Sequence, residues 1–117
     1  MRGLWGDASR AYELLIRQYG GRPEANVARL ALAQILLDHL GRPARALRLF
    51  ETVRRRSRSL AEQAEWGRVR ALLRLGRSGD AARAAAEYLR RHPTGLHAAA
   101  ARRISGGTSG DGTGGAP

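Results

Sequence analysis

The stretch Leu36-Leu37-Asp38-His39-Leu40-Gly41-Arg42-Pro43-Ala44-Arg45-Ala46-Leu47-Arg48-Leu49-Phe50 reads as the end of one helix, a tight turn at Gly41 and the start of a second helix. Glycine closes a helix because it enters the left-handed conformation at little cost; proline suits a helix start, where its missing N–H would be unpaired anyway. The pattern recurs. Gly41 and Ala46 stand five apart, as do Gly6 and Ala11 before them and Gly76 and Ala81 after them. The interval between successive pairs is 35 residues each time. A fixed period of that size marks a helical repeat array. The expected fold class is all-α: stacked antiparallel helical hairpins forming an α-solenoid of five to six short helices.

Length and composition set the limits. The 117 residues suffice for one domain. Residues 105–117 are mostly Gly with Ser, Thr, Asp, Ala and Pro, and hold no large apolar side chain, so a disordered tail is expected there behind a helical domain over 1–104. No run approaches the roughly eighteen apolar residues that cross a bilayer, and Met1-Arg2-Gly3-Leu4-Trp5 lacks the apolar centre of a signal peptide. As written, the chain is expected to be soluble, cytoplasmic and without membrane insertion. With no cysteine, disulfide and thiol chemistry are excluded and the redox compartment is left open. The net charge of +11 is built from 21 basic residues, all of them Arg. Exclusive Arg beside abundant Ala and Gly points to a GC-rich genome. The charge is therefore weaker evidence for a nucleic-acid partner than its size implies.

Taken in order, Asp7 is placed to cap a first helix over 8–19, with Ala11, Leu14, Leu15 and Tyr19 on one apolar face. Gly20-Gly21 is expected to end it in the left-handed conformation, and Pro23 to sit in the first turn of the next helix. From Glu24 to Leu40 the apolar residues Val27, Leu30, Leu32, Ile35, Leu36, Leu37 and Leu40 exceed a single stripe, which predicts a central helix buried on two sides. A third helix over 43–56 turns Ala46, Leu47, Leu49, Phe50 and Val53 inward. Ser59 with Glu62 matches a capping box for a fourth helix over 60–75, with Trp66, Val69, Leu72 and Leu73 on its apolar side. The fifth helix, 79–91, is poor in bulk, with Ala81, Ala82, Ala84, Ala85 and Ala86 before Tyr88 and Leu89. Its hairpin should be the least stable. A last short helix spans 96–104.

Helix pairs of this period, with glycine at the turn and alanine five residues later, resemble the tetratricopeptide repeat family over residues 6–104. Gly41–Ala46 and Gly76–Ala81 match its turn and close-packing alanine, Phe50 its large apolar residue, Pro23 and Pro93 its closing proline, and Trp66 its aromatic anchor. The chain departs from the pattern where Arg58 replaces a proline, where Gln34 and Arg70 stand at positions usually small, and where Ala85 follows Leu15 and Phe50. In this register the array begins with the second helix of a pair, so one apolar face is expected to lie uncovered. The segment is similar to C-terminal tetratricopeptide portions of larger bacterial regulatory and envelope proteins. As a fragment of an envelope protein it would be periplasmic.

Catalytic chemistry finds little support. His39, His92 and His97 are scattered and form no metal-ligand spacing; Glu62 and Glu65, one turn apart at a helix start, complement the helix dipole. The tail glycines precede no helix and so form no phosphate loop. No catalytic, metal or cofactor site is expected, and the chain is expected not to be an enzyme. Arg54, Arg55, Arg56 and Arg58 gather at one helix end and Arg90 and Arg91 at another, where cations complement unpaired carbonyls. The candidate partner-contacting residues are Arg54, Arg55, Arg56, Arg58, Arg70 and Arg74. The resemblance implies a non-catalytic scaffold whose curved surface holds another protein or peptide. The missing N-terminal part of a parent chain is a further candidate partner. The alternative is an Arg-rich nucleic-acid binder, which Trp66 and Tyr88 do not favour because the apolar stripes claim them.

Overall fold

Two glycines set the turns of the array. Gly41 and Gly76 have φ of 63° and 76°, a conformation that costs any other L-residue energy. At each, the following amide folds back onto the helix just ended: Arg42 N–H donates to Leu36 O at 2.8 Å and Arg77 N–H to Leu72 O at 3.0 Å. A computed structural model describes residues 3–109 and resolves six helices there with no strand. They are α1 (Gly3–Tyr19), α2 (Glu24–Asp38), α3 (Pro43–Arg56), α4 (Ala61–Arg74), α5 (Ser78–Arg91) and α6 (Ala98–Ser109). Pro43 stands at the start of α3, as its fixed φ favours.

Each helix packs on its neighbours in the chain, and α2 also touches α4. That single cross-contact sets the stacking direction: α2 and α4 line one side of the array, while α1, α3 and α5 form the other. The molecule measures 54 × 33 × 18 Å with a radius of gyration of 15.4 Å, against about 13 Å for a compact domain of this length. It is an elongated stack.

The core runs along the stack. Leu37, Phe50, Val53, Val69 and Tyr88 are fully buried, with Ala46, Ala64, Ala81, Ala85 and Ala101 filling the close approaches between helices. Alanine lets helix backbones approach closely, so the core is built from small contacts punctuated by a few large side chains. Leu30, Leu32, Leu36 and Leu37 are buried on several sides of α2, which packs on α1, α3 and α4. This is the central helix that the apolar frequency predicts.

Several local expectations are corrected. Helix α1 starts at Gly3, so Asp7 lies inside it and caps nothing. Its buried side is Gly6 and Ser9, with Tyr12 and Ile16 half-buried, while Leu14, Leu15 and Tyr19 face outward because only α2 packs on this helix. Val27 is likewise exposed, at 60%. Gly20 and Gly21 do not adopt positive φ. Gly20 is needed for space, since a side chain there would stand 2.7 Å from the Ile16 carbonyl oxygen. The Ser59–Glu62 capping box is absent: Leu60 N–H donates to the Ser57 hydroxyl at 3.2 Å, and Glu62 is engaged elsewhere. Helix α6 continues to Ser109, so the first residues of the expected tail are helical; residues 110–117 lie outside the described residues.

Candidate functional site

Two adjoining hollows on the α2–α4 side share Gln34 and Arg70 and form one groove. The larger, about 550 Å³, extends from Gln34 past Gln63, Trp66 and Gly67 to Leu96 and His97 on the turn between α5 and α6. The smaller, about 330 Å³, continues along α2 to Asp38, His39 and Trp5. Gln34 and Gln63 stand on the exposed faces of their helices. Each carries a donor and an acceptor and can pair with a peptide group.

Aromatic stacks flank both hollows. The Trp66 and His97 rings are parallel within 6° with centroids 4.8 Å apart, and Trp5 stacks on His39 at 3.8 Å with the same tilt. Leu96, beside Trp66, is 86% exposed and is the most exposed large apolar side chain of the described residues. Between the stacks, Arg70 is paired with Asp38 across the α2–α4 contact. Arg74 donates to the Leu37 carbonyl at 2.9 Å, satisfying one of the carbonyls orphaned at the end of α2.

A polar hub holds the Leu96 end in place. The Tyr88 hydroxyl donates to Glu62 Oε2 at 2.7 Å and accepts from His97 N–H at 3.1 Å, and Leu96 N–H donates to the same carboxylate oxygen at 3.2 Å. The Tyr88 hydroxyl holds the Glu62 carboxyl below its ordinary range, with the Leu96 amide assisting, though partial burial opposes them. Burial pushes the Tyr88 phenol up, and its bond to Glu62 adds to this. One turn on, buried Glu65 accepts from Arg91 at 2.8 Å and meets His92 Nε2 at 2.9 Å. Gly95 is glycine because a Cβ there would lie 2.5 Å from Glu62 Oε2 and 2.6 Å from the Tyr88 oxygen.

This geometry coincides with a match of known type. A family model described as Tetratricopeptide repeat matches residues 2–61, 39–96 and 66–107, which together span most of the chain. The chain belongs to the tetratricopeptide repeat family. No curated protein and no solved structure matches it. Tetratricopeptide repeats are generally scaffolds for protein–protein interaction and typically non-catalytic, and no helix of the described residues is long and apolar enough to cross a membrane.

Within this repeat array the six candidate arginines do not form one surface. Arg70 and Arg74 belong to the groove and its α2–α4 contact. Arg54, Arg55 and Arg56 occupy the last turn of α3; Arg56 reaches the Gly20 carbonyl at 3.4 Å, and the Arg54 Nε is buried without a hydrogen-bond partner among the described residues. Arg55 and Arg58 are exposed. One turn before Arg70, Gly67 is the small residue at which α4 meets the Phe50 ring. The histidines are less scattered than their spacing suggests, since His92 and His97 both converge on Tyr88. Gln63, Leu96 and His97 were not legible as groove residues. The last helix is expected from residue 96, whereas α6 begins at Ala98 and leaves Leu96 and His97 on the turn after Pro93-Thr94-Gly95.

Proposed function

We propose that the protein is a non-catalytic scaffold that holds an extended segment of a partner protein in the groove between α2, α4 and the α5–α6 turn. The observation that carries this is the exposed Leu96 beside the stacked Trp66–His97 pair, at one end of a continuous groove edged by Gln34 and Gln63. An apolar side chain of the partner would cover Leu96, the two amides would pair with its backbone, and Arg70 would offer its unused N–H groups to a carboxylate. The finer reading, a C-terminal portion of a larger bacterial regulatory or envelope protein, rests on resemblance.

The experiment is selection of peptides from a random library on the intact chain, followed by anisotropy titration of the winners against Leu96→Asp and Gln34→Ala. Winners should bind in extended form and lose at least tenfold in affinity to both variants. Winners indifferent to both would refute the groove. The nucleic-acid alternative is tested in parallel by titrating DNA and RNA at about 0.15 M salt, where non-specific binding by charge alone is already weakened by counterion release. Tight, sequence-selective binding abolished when Arg54, Arg55, Arg56 and Arg58 are all replaced by Gln would favour it.

A further inference from the structure

Two charged side chains are buried among the described residues, and their surroundings differ. Glu65, 5% exposed, is met by the Arg91 guanidinium at 2.8 Å, the kind of partner that a buried charge needs. Arg29, 8% exposed, has neutral partners alone: it donates to the Asn26 side-chain oxygen and to the Gly20 carbonyl, each at 2.9 Å. A second cation comes to the same acceptor, since Arg56 donates to the Gly20 carbonyl at 3.4 Å. Burial disfavours the charged form of Arg29, and the Arg56 charge disfavours it further. Nor does the repeat ask for a charge here. The 35-residue period sets Ala64 of α4 and Ala99 of α6 in the place of Arg29, and Ala64 is fully buried. A guanidinium where the repeat packs a methyl breaks the local pattern without a compensating carboxylate, and such breaks mark functional positions.

The two arginines stand at the head of a furrow between α1 and α3. Glu13, Ile16, Arg17, Leu32, Arg45 and Leu49 line it around about 260 Å³. Arg29 is one turn before Leu32 on α2, and Arg56 two turns beyond Leu49 on α3. Of the lining residues only Glu13 is acidic, and Arg45 holds it at 2.5 Å. Glu24 lines a different hollow, with Leu15 and Arg22. Arg17, Arg29 and Arg56 therefore have no ion pair among the described residues. Helices α1 and α3 both end beside them, and each helix end carries about −0.5 charge, so an excess of about +2 is left. We infer that the head of the α1–α3 furrow binds a phosphate group, with Arg29 and Arg56 as its donors and Arg17 at its rim. A phosphate monoester carries about −1.5 to −2 charge at pH 7 and three acceptor oxygens. Arg29 uses two of its N–H groups on Asn26 and Gly20, and Arg56 one on Gly20, so both keep donors for those oxygens. Gln34 and Asp38 of the groove project from the far side of α2 at helical spacing, which makes this a separate site.

The test is calorimetric titration of the full chain with inorganic phosphate at low ionic strength in chloride, repeated with phenyl phosphate and with acetate. Inorganic phosphate should bind saturably, one per chain, and at least tenfold more tightly than acetate. Arg29→Ala, which installs the residue that α4 carries at this position, should weaken phosphate binding at least tenfold. Arg56→Gln, a change at an exposed site, should do the same and keeps the test decisive if circular dichroism shows the first variant misfolded. Arg55→Gln with Arg58→Gln removes two charges from the same end of the stack and should leave the affinity nearly unchanged, as should Leu96→Asp in the groove. Phenyl phosphate binding as tightly as inorganic phosphate would assign the site to a phosphate carried on a larger molecule. Binding of inorganic phosphate alone would assign it to the free ion, and either result supports the site. No saturable binding, acetate bound as tightly as phosphate, an equal loss on removing Arg55 and Arg58, or indifference to Arg56→Gln would overturn the inference.

Discussion

Replacing Gly67 with alanine sets two effects of opposite sign against each other. Alanine at an interior helical position is favoured over glycine by about 1 kcal/mol, because glycine loses more backbone freedom on folding. Against this, a Cβ at residue 67 would lie 2.5 Å from both Cδ1 and Cζ of Phe50, and closer still to Cε1. Unstrained carbon contacts stand at about 3.5–4.0 Å, so the ring must retreat by about 1 Å or the helices must part by as much. Phe50 is fully buried in the same core as Leu37, Val53 and Val69, which are themselves fully buried, so moving the ring away from α4 presses it on packed neighbours. Overpacking of this kind costs about 1–3 kcal/mol, and contact with three ring atoms argues for the upper part of that range. The net expectation is a loss of about 1–2 kcal/mol, equivalent to a fall in Tm of about 5–15 °C for a domain of this size.

Urea melts followed by circular dichroism measure the change, and a double-mutant cycle identifies its cause. Phe50→Leu alone should destabilise by opening space in the core. Combined with Gly67→Ala it should cost less than the sum of the two, with a coupling of about 1 kcal/mol or more, because the smaller side chain makes room for the new methyl. A Gly67→Ala protein as stable as the wild type, or more so, would refute the close α3–α4 approach. Additive costs in the cycle would show that the penalty arises away from Phe50.

Leu37→Ala should cost about 2–5 kcal/mol in the same melts, since Leu37 is fully buried at the centre of the stack; a change of a few tenths would contradict its placement. Gly41→Val forces a β-branched residue to a φ of 63° and should lose about 1–2 kcal/mol or more, with Gly76→Val behaving alike; unchanged melting of both variants would undo the repeat register. The folded-state value of Glu62 lies below its ordinary 4.5, so its contribution is complete above that pH and is lost as pH falls through the lowered value; Glu62→Gln should flatten the acid limb of a stability–pH curve. Tyr88 is raised above its ordinary 10.0, so its neutral form stabilises the fold below that pH and the benefit is lost as pH climbs through the raised value; Tyr88→Phe should flatten the alkaline limb.

The parts of the fold legible in the sequence are those governed by local backbone chemistry and by period. Gly41 and Gly76 announce their turns because a left-handed residue is nearly always glycine, and Pro43 announces a helix start because its φ suits one. Burial of Leu37 follows from the apolar frequency of its helix, and burial of Phe50 from its place on the inward side of the third helix. The failures share a different cause. Ser59 and Glu62 have the spacing of a capping box, but Glu62 is drawn away by Tyr88 and Leu96, partners 26 and 34 residues distant. Gly20 and Gly67 are indistinguishable from other glycines in sequence, although each is required by an atom approaching in space. The groove was hidden for the same reason: Gln34, Trp66 and His97 meet only after α2, α4 and the α5–α6 turn have stacked.

The polar hub also bears on why the poorest hairpin still sits firmly in the stack. Helix α5 contributes Ala81, Ala84, Ala85 and Tyr88 to the core where α3 contributes Ala46, Leu47, Phe50 and Val53, so three of its four buried side chains are alanines. Small side chains also fix the angle between helices weakly, because they interlock little. What α5 has instead is direction. Tyr88 is tied through Glu62 to α4 and through the His97 amide to the start of α6, while Arg91 and His92 converge on buried Glu65. A buried carboxylate deprived of its partners is strongly unfavourable, so alternative placements of α5 that break these bonds are penalised even where the alanines would pack equally well. The same bonds position Leu96 and His97 at the rim of the groove. Register at the C-terminal end is thus set by hydrogen bonds with defined geometry, and the elements that set it are those that shape the proposed binding surface.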